Sequence, residues 1–153
     1  MYRGGATYRE EGGQSIIELA LSLPLLVFAL IGGADLARAY ALQLAVQNGA
    51  RAGAEAAAID FTPTQGEIVA RARDEMARTP GMEAGEAAIT VTLKQGDGAT
   101  DCIDPPTPAT PCFATVRVQY TFRTITPWPL VPNVATFDRM TLMRTIKGGP
   151  LQP

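Results

Sequence analysis

The sequence predicts an α+β protein with a long N-terminal transmembrane and amphipathic helix, a second short helix, and a small antiparallel sheet of about three strands. Three observations support this fold class. An apolar stretch near the start is long enough to cross a membrane, an alanine-rich stretch without proline follows it, and the C-terminal half alternates apolar and polar residues as strands do.

The first element is an apolar span between Ser15 and Ala34, which reads SIIELALSLPLLVFALIGGA and carries one charge, Glu18. At a rise of about 1.5 Å per residue, a helix of this length crosses a hydrocarbon layer of about 30 Å. A helix in the core of a soluble domain keeps a polar face, which this stretch lacks. We therefore predict a transmembrane helix over residues 14–34 and membrane lipid as its partner. The polar, glycine-rich residues 1–13 are a leader or a cytoplasmic tail.

The helical pattern continues beyond the span through residues 35–60, which predicts one nearly continuous helix from about Gln14 to Ile59. Pro24 should kink this helix because its ring removes one backbone hydrogen bond. Small residues recur every four positions on one face and are assigned a helix-packing role together with Pro24: Ala41, Ala45, Gly49, Gly53 and Ala57. An adjacent stripe of larger residues is expected to cover the globular part: Leu36, Tyr40, Leu44 and Val46.

The hypothesis that this face packs against another element depends on its two central residues, Gly49 and Gly53. Each glycine inside a helix costs about 1 kcal/mol relative to alanine. Gly49 and Gly53 in register therefore indicate that another element approaches the backbone closely. The alternative is a tolerant, alanine-rich helix that faces solvent.

Residues 61–147 are predicted to form an α+β domain, followed by a flexible tail over residues 148–153. Thr64 and Glu67 match a capping box that begins a short helix. Its core-facing residues are spaced four apart: Ile68, Ala72 and Met76. Alternation then predicts three strands, over residues 88–93, 113–124 and 135–146.

Composition argues against an enzyme. The net charge of −2 provides no basic surface for nucleic acid, and histidine, the most common general base and metal ligand, is absent. No phosphate-binding loop, nucleophile elbow or metalloprotease motif is present. We therefore expect no catalytic residues, no cofactor, no metal and no small-molecule substrate. A periplasmic enzyme is the interpretation with least support.

The two cysteines and the flanking charges bear on topology. Cys102 and Cys112 lie ten residues apart in a proline-rich loop, a spacing that can close into a disulfide, and such bonds persist outside the cytosol. Two unpaired thiols are the alternative. Arg3 and Arg9 precede the span, which favours an N-terminus in the cytoplasm.

Glu18 is the residue with unusual chemistry, because an ionised carboxylate in lipid is expensive and needs a partner. It lies five residues after Gly13. If a protease cuts between Gly13 and Gln14, Gln14 carries a new α-ammonium group that the Glu18 carboxylate can pair with, in the same or a neighbouring helix. We interpret Glu18 as an assembly residue that sets the axial register between helices.

The segment GGQSIIELALSLPLLVFALIGGADLARA resembles the start of the TadE-like pilus-assembly proteins, the pseudopilins of tight-adherence (Flp) pilus systems. The resemblance lies in the glycine-to-glutamate spacing of type IV prepilins, in Leu23-Pro24 within the span, and in the later Gly49-Ala50-Arg51. It implies a membrane-anchored minor pilin at the inner membrane with a periplasmic C-terminal domain. The implied partners are other pilins or pseudopilins, the inner-membrane pilus machinery and a prepilin peptidase.

Two further interpretations stay open. Ala37-Arg38-Ala39 fits a signal-peptidase site, whose use would release a secreted binding domain that begins at Tyr40. An uncut, membrane-anchored periplasmic scaffold domain without a pilus assembly role has the same fold and differs in the fate of residues 1–13.

Overall fold

A computed structural model of the chain describes residues 11–59, 64–103, 106–129 and 131–146. Most of the predicted leader and the whole tail over residues 148–153 lie outside the described residues. The described elements, in chain order, are helix α1 (Glu11–Ile59), helix α2 (Gln65–Ala77), a 3₁₀ turn (Ala84–Glu86), and strands β1 (Ala88–Gln95), β2 (Cys112–Arg123) and β3 (Val134–Arg144). The predicted fold class is confirmed.

The chain divides into two compact units, Met1–Ala37 and Arg38–Pro153, here called the N-terminal and the C-terminal unit. Helix α1 has 49 residues, begins three residues earlier than the sequence predicts, and ends at Ile59 as predicted. It contains Pro24 without ending there. The described part of the N-terminal unit consists of this helix alone.

The sheet of the C-terminal unit has the strand order β1-β2-β3 with both pairs antiparallel. Val116 of the central strand pairs with Val91 on one side and Thr141 on the other. Alternate residues of β2 are buried and form the inner face: Cys112, Ala114, Val116, Val118, Tyr120 and Phe122. The intervening residues, among them Arg117, Gln119 and Arg123, lie on the outer face. The predicted alternation of this strand is therefore confirmed.

The two helices supply the cover that a three-stranded sheet needs. Helix α1 buries Leu42 and Val46 together with its small residues, and α2 buries Ile68, Ala72 and Met76 as the sequence predicts. Leu42, Val46, Ile68 and Met76 join residues of the inner face of the sheet in one hydrophobic cluster.

The prediction that a stripe of larger residues on α1 covers the globular part is wrong for three of its four members. Leu36, Tyr40 and Leu44 are 73%, 64% and 41% exposed, and only Val46 is buried. Leu44 lies two residues from the buried Leu42, which is about 200° around a helix of 3.6 residues per turn. The side chains at positions 40 and 44 are therefore turned away from the face that carries the core.

Helix α2 begins with the predicted capping box. The Thr64 hydroxyl accepts a hydrogen bond from the Glu67 backbone N–H at 3.2 Å, and the Thr64 backbone N–H donates to the Glu67 carboxylate at 2.9 Å. Two of the unpaired donors at the helix start are thereby satisfied. This fixes the start of the helix whose buried residues pack on α1.

Candidate membrane span and helix-packing surface

Within the described residues, one helix is long and apolar enough to cross a membrane, Gly13–Ile59, and the most apolar window of that helix is not buried at all. Its large side chains are open to the surroundings, with Leu21, Leu25 and Leu30 about three quarters exposed. Removing each such side chain from water is favourable by about 1.5–3 kcal/mol of free energy. A continuous apolar surface of this kind calls for lipid or other helices around it. A signal sequence near an N-terminus meets the same length and composition criterion.

The two residues of the predicted processing site lie inside α1, and Glu18 follows Gln14 by four residues on the same face. Helical side chains tilt toward the N-terminus, so the Glu18 carboxylate leans back toward the nitrogen of Gln14. Both side chains are exposed, and Glu18 forms no salt bridge among the residues that the structure describes. The arrangement can pair a carboxylate with an amine if the Gly13–Gln14 bond is cut.

Pro24 lies six residues beyond Glu18 on the exposed helix. Its ring provides no N–H for the carbonyl of Ala20, four residues earlier, and crowds that carbonyl. The Ala20 carbonyl, in the predicted span, therefore needs a hydrogen-bond donor other than the backbone N–H four residues later. Such prolines are tolerated in membrane helices where neighbouring helices or side chains satisfy the freed group.

The small residues of α1 face the interior of the C-terminal unit. Ala45 and Ala57 are 2% and 5% exposed, Gly49 and Gly53 are buried, and Ala41 is half-buried. The element that approaches Gly49 is α2 of the same chain. A β-carbon added at Gly49 would lie 2.5 Å from Met76 Cγ and 3.1 Å from the Ala72 carbonyl oxygen.

Gly53 lies one turn further along α1 and is close to both α2 and strand β2. A β-carbon there would lie 3.1 Å from Val116 Cγ1 of β2 and 3.2 Å from the β-carbon of Ala72. Alanine at either glycine would thus need its neighbours to move. The two glycines allow α1 and α2 to approach closely while α1 still rests on the sheet.

A polar groove between α1 and α2 has no counterpart in the sequence predictions. It has a volume of about 740 Å³, and its lining includes the small residues Ala52 and Ala56. Each helix contributes an arginine and a glutamate four residues apart to its lining: Arg51 and Glu55 from α1, Arg71 and Glu75 from α2. The four-residue spacing of opposite charges in both helices was the available signal.

The outer face of the sheet carries an ion-pair cluster. The Arg117 Nε donates to Asp138 Oδ1 at 2.9 Å, and the Gln119 amide donates to Asp138 Oδ2 at 3.0 Å. Hydrogen bonds from Arg117 and then Gln119 lower the pKa of Asp138 from 3.8 to about 2. The same ion pair raises the pKa of Arg117. The cluster joins β2 to β3 on a surface that the helices do not cover.

The predicted cysteine pair is joined by a disulfide, with the two α-carbons 5.5 Å apart. Cys112 begins β2 in the core, whereas Cys102 lies in the connection between β1 and β2. Lys94 and Asp101 close the same connection with a salt bridge of 2.6 Å. In the described part of the chain, no group of three or more cysteine, histidine or acidic residues is placed to hold a metal ion.

The fold and the exposed helix define a class of α+β proteins with an N-terminal candidate membrane helix. Residues 13–55 match the family model described as TadE-like protein, which confirms the resemblance found in the sequence. The match covers residues 13–55 of 153, and the matched family is a pilus-related structural and assembly family. No curated protein and no solved structure matches the chain.

The matched segment contains the predicted processing site, Glu18, Pro24 and most of the small-residue face, and it ends before α2. The structure brings the small residues together with α2 and the sheet in the C-terminal unit. It places Gly13, Gln14, Glu18 and Pro24 in the N-terminal unit.

Proposed function

We propose that the protein is a membrane-anchored minor pilin, or pseudopilin, of a tight-adherence type IV pilus, which packs through its N-terminal helix. The observation that carries this proposal is the exposed apolar helix with its glutamate, within the segment that matches the TadE-like family. Residues 14–34 span the inner membrane once, residues 35–60 extend the helix, and residues 61–147 form a periplasmic domain.

Topology follows from charge and from the disulfide. The arginines before the span keep the N-terminus in the cytoplasm. The bond between Cys102 and Cys112 supports a C-terminal domain outside the cytosol, because cytosolic thiols are kept reduced. Both observations favour the same orientation of one transmembrane helix.

Processing gives Glu18 its partner. A prepilin peptidase that cuts between Gly13 and Gln14 exposes the α-ammonium group of Gln14 one turn before Glu18. Neutralising the carboxylate in this way removes much of the cost of placing it at the edge of the hydrocarbon. When the amine belongs to a neighbouring pilin, the same pair aligns the two helices along their axes.

The test is the N-terminus of the purified protein from cells that contain the pilus system. Mass spectrometry should find Gln14 as the first residue, and Gly13→Leu should leave the full-length chain. Among the described residues, a β-carbon added at Gly13 or Gly33 would meet nothing within 4 Å beyond the backbone of its own helix, so Gly33→Ala is a control that should be processed normally. An uncut wild-type chain would refute the processing step.

A membrane-anchored scaffold domain without a pilus role is the second candidate. The C-terminal unit has its own hydrophobic core, as such a domain requires. The two functions are separated by co-purification with other pilins, which only the pseudopilin requires.

Release of a secreted binding domain after Ala39 is less compatible with the structure. It would remove Arg38, whose guanidinium lies 5.2 Å from the ring centroid of Phe122 and whose Nη1 donates to the Arg123 carbonyl oxygen. Cleavage after Ala39 would thus take away a residue that the C-terminal unit uses.

A further inference from the structure

We propose that the β2–β3 connection is a second membrane contact, which inserts the side chains of Ile125, Trp128 and Val131 into the lipid interface next to the exit of α1. We call the described residues 124–129 and 131–133 the interface loop. The inference rests on the proposed function, because it requires residues 14–34 to span the bilayer.

The position of the interface loop within the C-terminal unit follows from two contacts of α1. At one end, Arg38 lies over Phe122 and donates to the Arg123 carbonyl oxygen at 3.3 Å. At the other end, the Ile146 N–H donates to the Ala58 carbonyl oxygen at 3.4 Å. Twenty helical residues separate Arg38 from Ala58, so these ends are about 30 Å apart.

The interface loop begins directly after Arg123 and therefore lies at the Arg38 end. The disulfide lies at the Ala58 end, where the Thr145 N–H donates to the Cys112 carbonyl oxygen at 2.9 Å. Only one end of the unit is thus close, along the chain, to the predicted span.

The distance to the bilayer is short. Arg38 follows Ala34, the last residue of the predicted span, by four positions, so even a fully extended chain separates their α-carbons by at most about 14 Å. A bilayer of about 40–45 Å with a hydrocarbon core of about 30 Å has an interfacial layer of about 5–8 Å on each side. By this connection Arg38, and with it the start of the interface loop, is within reach of the headgroup layer.

The exposed chemistry of the interface loop suits that level. Ile125 and Val131 are 70% and 60% exposed, and Trp128 is half-buried between two prolines. Tryptophan is enriched at membrane–water interfaces, and apolar side chains bind there in proportion to the area that they bury. Arg38 and Arg123 add positive charge beside the loop, which attracts anionic lipid headgroups. Charge and apolar surface thus favour the same occupant, a lipid surface.

The interface loop is also held in shape before any lipid binds. The Asn133 side chain accepts a hydrogen bond from the Trp128 backbone N–H at 2.6 Å and donates to the Trp128 carbonyl oxygen at 3.2 Å. The Thr124 N–H donates to the Asn133 carbonyl oxygen at 3.1 Å and closes the base of the loop. A loop ordered in advance loses little conformational entropy on binding.

The test uses the single tryptophan of the chain as the probe. The full-length protein is reconstituted into unilamellar vesicles of phosphatidylethanolamine and phosphatidylglycerol, and Trp128 emission is measured with lipids brominated either near the headgroup or deep in the acyl chain. Shallow bromines should quench Trp128 more than deep bromines, and Trp128 emission should shift to shorter wavelength relative to protein in detergent.

A matched variant moves the probe to the opposite end of the unit. Ile146 is 74% exposed there, so Trp128→Phe combined with Ile146→Trp should give a tryptophan that aqueous iodide quenches and brominated lipid does not. Ile125→Ser with Val131→Ser should reduce the shallow lipid quenching of Trp128. Equal iodide quenching of Trp128 and the relocated tryptophan would overturn the inference, as would protection of Trp128 from both quenchers.

Resistance of the same vesicles to alkaline extraction separates this inference from the proposed function. A protein that remains anchored while Trp128 stays in water refutes the interface loop and leaves the pseudopilin proposal intact. A protein that alkali extracts refutes the membrane span, and the interface loop with it.

Discussion

Met76 of α2 packs directly on the bare backbone of Gly49 in α1, where a β-carbon would come within 2.5 Å of the methionine Cγ. The contact joins the segment that matches the TadE-like family to a helix outside it. The small-residue face of α1 therefore serves intramolecular packing. The exposed apolar span of α1 is the surface that the proposed function assigns to neighbouring helices.

Gly49→Leu should destabilise the C-terminal unit by about 1–3 kcal/mol, the usual cost of overpacking a core. Met76 can shift to relieve part of the clash, but the Ala72 carbonyl is backbone and cannot. Thermal unfolding of the detergent-solubilised protein measures the effect. Gly66→Ala is the control, because within the described residues its added β-carbon would meet only Thr64 Oγ1, at 3.9 Å, beyond the backbone of its own helix. Equal stability of Gly49→Leu and wild type would refute the close contact.

Thr64→Ala should lower the free energy of unfolding by about 1 kcal/mol because the start of α2 loses its capping box. Thr64→Ser keeps the hydroxyl and should retain most of the stability. Thr90, an exposed strand residue, provides a control in which removal of a hydroxyl leaves no helix donor unpaired. Denaturant unfolding distinguishes the three variants. A loss as large for Thr90→Ala as for Thr64→Ala would contradict the capping role.

Acid should weaken the outer face of the sheet in a defined pH range. The pKa of Asp138 is lower in the folded protein, about 2, than its ordinary 3.8, so its stabilising contribution is complete above about pH 4 and is lost as the pH falls through about 2. Asp138→Asn should be less stable near neutral pH and should lose part of this acid dependence. The pKa of Asp97 is also lowered, mainly by Thr100, so Asp97 adds to the loss of stability in acid. That part of the acid dependence should remain in Asp138→Asn.

Arg117→Gln separates the cause of this pKa shift from other effects. The Asp138 carboxyl should return toward its ordinary pKa, while the hydrogen bond from Gln119 keeps part of the shift. Carboxyl chemical shifts followed by NMR during an acid titration give the value for each variant. An unchanged Asp138 pKa in Arg117→Gln would show that another group lowers it.

Glu18→Ala should leave the protein folded and inserted in the membrane but impair its assembly with partner helices. The reason is that the carboxylate is predicted to pair with the amine of Gln14 across neighbouring pilins. Co-purification with other pilins measures assembly, and Glu83→Ala, which removes an exposed carboxylate in the C-terminal unit, should behave as wild type. Normal co-purification of Glu18→Ala would count against the register role.

Much of the fold could be predicted because its signals are local. The alternation of β2, the capping box at Thr64, and the core stripe that contains Ile68 each depend on residues close together in the chain. The same holds for the apolar span. The strand order could not be predicted from the sequence, because β1 and β2 pair across a long proline-rich loop.

The candidate site could be predicted only in part, because its contacts also join elements that are distant in sequence. The glycines in register indicated a close approach, but nothing local identified Met76, Ala72 and Val116 as the groups that make it. The groove between α1 and α2 and the interface loop both depend on elements distant in sequence.

The sequence by itself determined the apolar span, the helix and strand types, and the resemblance to TadE-like proteins, because periodicity and composition act over a few turns or a short strand. Tertiary structure decided which of the larger residues of α1 join the small-residue face in the core, which places Leu42 inside and leaves Tyr40 and Leu44 exposed. The physical reason is close packing: only the face with Gly49 and Gly53 lets α2 and β2 approach the helix backbone, and that requirement outweighs the size of the side chains elsewhere on α1.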